Sequence, residues 1–253
     1  MDSIANSGGP LPEPDRSPDD QPPPIDRDQA STPPHGVDGV LQIKRDDQRD
    51  VHRQVFVRKA ILVEKVYLLD SELRDRRHSW KFEDRALRQL EGLRVPRSYG
   101  YHYGVDAQGQ AICVLTKEYV TGETPAEVDD QLLEKLAVTL AEFHRRRVVT
   151  NDSSLDNMLL SDQGDLQIFD FSKARTFKRG NPLLYYYMGR ELYKIRRKLL
   201  DRRNDLYGTF CSYYFSSIRD LGWIRIHLVR LSAQHFIRRD QARGRGMPSP
   251  GES

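Results

Sequence analysis

Residues 144–173 read HRRRVVTNDSSLDNMLLSDQGDLQIFDFSK, and the rest of the chain is organised around this stretch. Two apolar, strand-like runs, Asn157-Met-Leu-Leu160 and Leu166-Gln-Ile-Phe169, flank the turn Ser161-Asp-Gln-Gly-Asp165. Asp and Gly supply the turn and alternating apolar residues supply the strands, which predicts a β-hairpin. Polar side chains cluster at its ends: Asp152 and Asn157 before the first strand, Asp170 after the second. The first two are five residues apart, and Asp170 follows thirteen later.

Two carboxylates and an amide gathered at one end of a hairpin are hard oxygen donors. Mg²⁺ takes one or two such ligands and fills its remaining positions with water or phosphate oxygens. A further carboxylate beside the metal can orient a hydroxyl and accept its proton. An Asp or Asn alone in a turn is commonplace; the hairpin, the spacing and the Asp170-Phe-Ser172 that follows act together.

Upstream, Gln131 to Arg147 shows a long amphipathic helix with Leu132, Leu133, Leu136, Leu140 and Phe143 on one face. Before it, Ala111-Ile-Cys-Val-Leu-Thr116 reads as a buried strand leading into Lys117-Glu-Tyr-Val120. Trp80 to Leu93 is helical, with Phe82, Ala86, Leu87, Leu90 and Leu93 as its apolar stripe, Glu83 beside that stripe, and Gly92 and Pro96 marking its end. Earlier still, Val40–Ile43 and Gln54–Val57 are strand-like, the second running on through Arg58 to Lys59. Side chains alternate along a strand, so Val57 and Lys59 share a face; Arg58 and Lys65 are the competing cations. Residues 1–38 hold nine of the fourteen prolines and too little apolar surface to offset the entropy of ordering, which predicts a disordered tail.

Downstream the chain turns aromatic and basic. Leu183 to Met188 leads into a helix from Gly189 to Arg203 with Leu192, Ile195, Leu199 and Leu200 as its seam. Residues 206–239 mix Tyr213, Tyr214, Phe215, Trp223 and Phe236 with arginines. Aromatics at helical spacing are expected to be core, and no nucleic acid is expected as a partner. The net charge of +3 hides an asymmetry: residues 1–50 carry 5 Lys/Arg against 11 Asp/Glu, and residues 173–253 carry 18 against 6. Such a basic end favours polyanionic partners, anionic lipid surfaces among them. No apolar run is long enough to span a bilayer, and the N-terminus lacks an apolar signal segment. Cys113 and Cys211 sit in apolar runs without metal-ligand spacing, as expected of buried thiols in a reducing compartment.

The order of these elements resembles a protein-kinase-like fold over about residues 39–180. In detail it is most similar to the lipopolysaccharide-core kinases of the Kdo/heptose kinase family. The pieces that carry this are residues 83–96 (EDRALRQLEGLRVP), 144–149 (HRRRVV), 170–175 (DFSKAR) and the short basic C-terminal region. The resemblance implies an α+β, two-lobed fold: a disordered tail over 1–38, a small antiparallel sheet lobe with one helix over 39–120, a mainly helical lobe over 121–240, and a disordered end over 241–253. It implies ATP and Mg²⁺ as cofactors and, as acceptor, a sugar hydroxyl of the lipid-linked core at the cytoplasmic face of the inner membrane. Asp152 would be catalytic, Asn157 and Asp170 would ligate magnesium, Lys59 paired with Glu83 would hold the ATP phosphates, and the backbone around Glu118 to Val120 would meet adenine.

The sequence also departs from that pattern. No glycine occurs from Val40 to Glu91, so the Gly-rich phosphate loop is absent. Thr150-Asn151 stands where His-Gly is usual, Ser172 replaces a glycine, and no Ala-Pro-Glu follows. The missing peptide platform argues against a protein acceptor, and the alternatives are a non-catalytic, kinase-like binding module, left open by the missing loop, or a kinase acting on a protein or another small molecule.

Overall fold

The structure, a computed structural model, describes residues 41–45, 53–58, 62–69, 79–201 and 203–245. The expected N-terminal tail lies outside these residues. The first lobe is a five-stranded antiparallel sheet in the order β1-β2-β3-β5-β4: β1 Leu41–Arg45, β2 Arg53–Arg58, β3 Leu62–Leu68, β4 Ser98–Val105 and β5 Ala111–Glu118. The sequence reading anticipated β1, β2 and β5 and missed β3 and β4. In β3 the residues Val63, Lys65 and Tyr67 alternate into the interior, and a buried lysine in mid-strand breaks the apolar pattern by which strands are recognised.

Helix α1, Ser79–Gln89, packs on that interior face. Trp80 joins Tyr67, Cys113 and Leu115 in a small core, with the Trp80 and Tyr67 rings 5.5 Å apart. The buried residues of α1 are Trp80, Glu83, Asp84, Ala86 and Leu87. Phe82, expected among them, is exposed, because the inward side of the first turns is taken by Trp80, Glu83 and Asp84.

The second lobe has a single larger core. Helix α2, Asp130–Arg145, is capped by Asp129, whose side chain accepts from the Leu132 N–H. Its leucines and Phe143 are buried as expected, packing with Met158, Leu166, Ile168 and Phe171. A two-residue strand, β6 Val148–Val149, pairs with β9 Arg175–Thr176. Between them β7 Met158–Leu160 and β8 Leu166–Ile168 form the expected hairpin, with Met158 opposite Ile168 and Leu160 opposite Leu166. At Gly122 (φ +154°) a Cβ would stand 2.5 Å from the Leu160 carbonyl oxygen; only glycine lets the interlobe link cross the hairpin there.

Three helices complete the lobe: α3 Leu183–Lys194, α4 Asn204–Ser217 and α5 Trp223–Arg245. A π-helical turn, Ile195–Leu199, closes α3. Phe210 and Tyr214 are fully buried, as expected of core aromatics, whereas Trp223 is not. Helix α5 continues to Arg245, past the expected lobe end at 240. It lies close against α3: a Cβ on Gly189 would fall 2.5 Å from Ser232 Cβ and 2.7 Å from the Ala233 nitrogen. Gly189→Ala must therefore push the two backbones apart, at a cost of about 1–3 kcal/mol. Urea unfolding measures it; a neutral substitution would show that α3 and α5 do not meet at this distance.

Candidate active site

The site forms where the two lobes meet, and a buried carboxylate holds it. Glu83 of α1 is fully enclosed. Lys65 Nζ donates to both its oxygens, at 2.9 and 3.0 Å, and Lys117 Nζ to Oε1 at 2.7 Å. Tyr67 Oη adds a third donor at 3.2 Å. The sheet register explains the convergence: Val63 pairs with Lys117, Lys65 with Leu115 and Tyr67 with Cys113, so both lysines project from the same face toward α1. The lysine that reaches Glu83 is thus Lys65, one of the two alternatives to Lys59. Lys59 itself lies outside the described residues. Strand β2, Arg53–Arg58, ends before Lys59, and the buried cation belongs to β3.

The same lysine pair reaches across to the second lobe. Lys65 Nζ lies 3.1 Å from Asp170 Oδ1, and Lys117 Nζ donates to the Phe169 carbonyl. The Ser172 N–H closes a turn on Asp170 Oδ1 at 3.0 Å. The sequence reading places Lys117 in the link after the buried strand, whereas β5 runs on through it to Glu118; a lysine closing an apolar run was the available signal.

Burial sets the charge states, and the neighbours then decide between them. Burial pushes the Asp170 carboxyl up, but Lys65, Lys117 and the Ser172 N–H more than offset this and hold it well below the usual carboxylate range. Glu83 behaves alike: burial raises it, Lys117 and Lys65 lower it further, and it too ends below its ordinary value. For Lys65 burial is outweighed by Glu83 and Asp170, which keep it firmly protonated. Lys117 differs. Burial and the neighbouring Lys65 prevail over Glu83, pulling it down to about 8.

Asp152, Asn157 and Asp170 come together at the hairpin end. Asn157 Nδ2 donates to the Asp152 carbonyl at 3.0 Å, leaving its Oδ1 as an acceptor. The Phe169 N–H donates to the Asn157 carbonyl at 3.2 Å, so Asp170 follows directly beyond Asn157's partner. Asp152 Oδ2 pairs with Lys173 Nζ at 2.6 Å, the lysine being largely exposed. A partly exposed carboxylate and an amide oxygen suit Mg²⁺, which needs few protein ligands when phosphate and water supply the rest. Among the described residues no closed cage of three or more acidic, His or Cys groups exists. Glu118 ends β5, its N–H bonded to the Arg97 carbonyl and its Oε2 accepting from the Arg97 N–H; Val120 follows in the half-buried link to the second lobe.

A second buried carboxylate, Glu191 of α3, fixes the loop before Asp152. Its Oε1 accepts from the Asn151 N–H at 2.7 Å and from the Thr150 hydroxyl, and its Oε2 meets His144 Nε2 at 2.7 Å. His144 Nδ1 in turn meets the Tyr214 hydroxyl. Asn151 adopts φ +61°, a left-handed conformation natural to glycine that Asn tolerates better than most residues. Asn151 thus takes the left-handed turn and Thr150 adds a hydroxyl donor to Glu191. Glu191 and His144 were not singled out from sequence, because their roles depend on helices that meet only in the fold.

No family model matches the sequence. A serine/threonine-protein kinase of Corynebacterium efficiens is 30% identical over 104 residues, covering 37% of this chain and 20% of that protein. The serine/threonine-protein kinase PknA of Corynebacterium glutamicum is 29% identical over 104 residues, covering 37% and 22%. The chain thus spans about a fifth of the length of these curated relatives. Among solved structures, WbdD with the kinase inhibitor LY294002 aligns at a TM-score of 0.42 and 17% identity, covering 66% of this chain and 43% of that one. The bifunctional kinase-methyltransferase WbdD aligns at 0.40 and 15%, covering 72% and 47%. The fold of this chain is protein-kinase-like in its own arrangement: an antiparallel sheet with one helix, a mainly helical second lobe, and a lysine–glutamate pair facing the hairpin aspartate.

The charge cluster has a consequence for stability. Glu83 and Asp170 are held below their ordinary range, so their ionised forms add stability that is fully present above about pH 4 and is lost as the pH falls through their folded-state values. Lys65→Met removes a cation from both. The variant is expected to be less stable than the parent at about pH 7 but to lose less stability between about pH 7 and about pH 3, read by urea unfolding. Identical losses in the two proteins would mean that the cluster does not form in solution.

Proposed function

We propose that this chain is an ATP-dependent phosphotransferase whose acceptor is a sugar hydroxyl of a lipid-linked core, of the Kdo or heptose kind. The observation that carries the reading is Lys65 Nζ held between Glu83 and Asp170, at 2.9 and 3.1 Å. An ammonium fixed by a helix glutamate beside a metal-ligating aspartate is positioned to meet the α- and β-phosphates of a nucleotide. In this reading Lys65 takes the role that the sequence suggested for Lys59. Asp170 and Asn157 hold Mg²⁺, which when bound supplies charge neutralisation at the phosphate oxygens. Asp152 orients the acceptor hydroxyl and accepts its proton, and the backbone from Glu118 to Val120 receives the base.

The choice of acceptor rests on the similarity of residues 83–96, 144–149 and 170–175 to the lipopolysaccharide-core kinases. The brevity of the segment between Asp170 and the start of α3 at Leu183 supports it, since little chain remains to bind a peptide. Among the described residues no helix is long and apolar enough to cross a membrane; a lipid-linked acceptor is then reached by peripheral contact from the cytoplasmic side. A non-catalytic binding module is the second reading, favoured by the Lys173–Asp152 ion pair, which occupies the proposed base.

Asp170→Ala is expected to abolish the magnesium-dependent thermal shift given by ATP, and an undiminished shift would remove Asp170 from the metal site. Asp152→Asn is expected to keep that shift while turnover falls by about 10²–10⁴. Turnover undetectable in the parent, with the shift intact, would favour the binding module. Lys65→Met is expected to raise the KM for ATP and lower kcat, whereas Lys59→Met leaves both near the parent's values; the reverse result would return the phosphate contact to Lys59.

A further inference from the structure

Helix α5 has more apolar surface than its neighbours cover. Val229 and Ala233 are buried, Ser232 Oγ donates to the Tyr186 carbonyl of α3, and Phe236 stacks on Tyr193. Its second flank faces α4 across an open cleft of about 590 Å³ lined by Phe215, Ile226, Arg230 and Ile237 among others. Among the described residues nothing covers the third face. Trp223 is 76% exposed, Ile224 59%, Leu228 43% and Leu231 48%. Ile224, Leu228 and Leu231 follow one another at four- and three-residue steps, which aligns them along a single side of the helix. His235 continues the line, and the exposed Arg238 and Arg239 flank its C-terminal end.

The charge of α5 says what covers this face. Residues 223–245 contain six arginines, no lysine or glutamate, and Asp240 as the sole acid. A second copy of the chain would bring two arginine-rich helices together, and like charges would oppose the contact. Nucleic acid would satisfy the arginines but leave Ile224, Leu228 and Leu231 against solvent. An anionic lipid surface accommodates both: phosphate headgroups meet the guanidinium groups, and the apolar side chains enter the headgroup–acyl boundary, where Trp is favoured.

We infer that the Ile224–Leu231 face of α5, with Trp223 exposed at its N-terminal end, is a docking surface for an anionic lipid membrane, with Arg238 and Arg239 meeting lipid phosphates at its other end. The purpose of the contact rests on the reading of a lipid-linked acceptor, but the contact itself is measured without nucleotide, so either reading can fail alone. Most aromatics of the basic C-terminal region pack in or against the core, whereas Ile224, Leu228 and Leu231 stay exposed.

The full chain is tested on vesicles of equal phosphatidylglycerol and phosphatidylcholine and on phosphatidylcholine alone. It is expected to co-sediment with the anionic vesicles, more weakly at about 1 M salt, where the Debye length falls to about 3 Å. The protein has two tryptophans, and Trp80 is buried, so a blue shift of emission on binding reports Trp223. Leu228→Glu with Leu231→Glu is expected to weaken binding about tenfold or more without lowering the thermal midpoint, since both side chains lie at the surface. Arg238→Glu with Arg239→Glu weakens it at low salt only. Absence of binding to the anionic vesicles, or binding unaffected by the leucine pair, overturns the inference. So does a dimer in sedimentation that the leucine pair dissociates, or binding to duplex DNA in preference to vesicles.

Discussion

A carboxylate buried without charged partners would not stay ionised, and the architecture of this protein follows from how Glu83 avoids that fate. Taking a carboxylate out of water costs several kcal/mol, so three strand residues, Lys65, Tyr67 and Lys117, converge on its two oxygens. Two ammonium groups on one carboxylate leave an excess of positive charge. Asp170 and the Phe169 carbonyl, from the other lobe, take up that excess. The lobes are thereby joined by polar contacts at the cleft itself, which ties the position of Asp170 to that of helix α1.

Glu191 plays the corresponding part inside the second lobe. It links α2 through His144, α4 through His144 and Tyr214, and the loop before Asp152 through Thr150 and Asn151. Lys194 Nζ adds a bond to the Asn151 carbonyl at 2.6 Å. A loop whose backbone donor and acceptor are both tied to one helix has little freedom, and Asp152 emerges from it in a set direction. Lys173 then meets Asp152 from the far side of the hairpin. The machinery on either side of the cleft thus hangs on two buried glutamates, one per lobe.

The two lobes carry charge differently. In the cleft, charges are enclosed and paired, and their geometry is specified by hydrogen bonds. On α5 Arg225, Arg238 and Arg239 are exposed beside the exposed Ile224, Leu228 and Leu231, where their value depends on what approaches. Gly189 lets α3 and α5 approach closely at Ser232 and Ala233, and Phe236 of α5 stacks on Tyr193 beside that contact.

Local pattern was enough to read the hairpin, the amphipathic α2 and the trio Asp152, Asn157 and Asp170, because turn chemistry, helical period and spacing are written within a few residues of each other. Glu83 could be placed beside the inward face for the same reason. The identity of its lysine could not. Val57 and Lys59 share a face whichever way the strand is counted, and only the pairing of β3 with β2 and β5 decides that Lys65 points at Glu83 and that Lys117 joins it. Phe82 and Trp223 illustrate the same limit: each is a large apolar residue at helical spacing, and packing leaves both in solvent. Sequence records which side chains can be buried or charged, whereas burial itself and the partner of each charge are properties of surfaces that meet only when distant segments of chain are brought together.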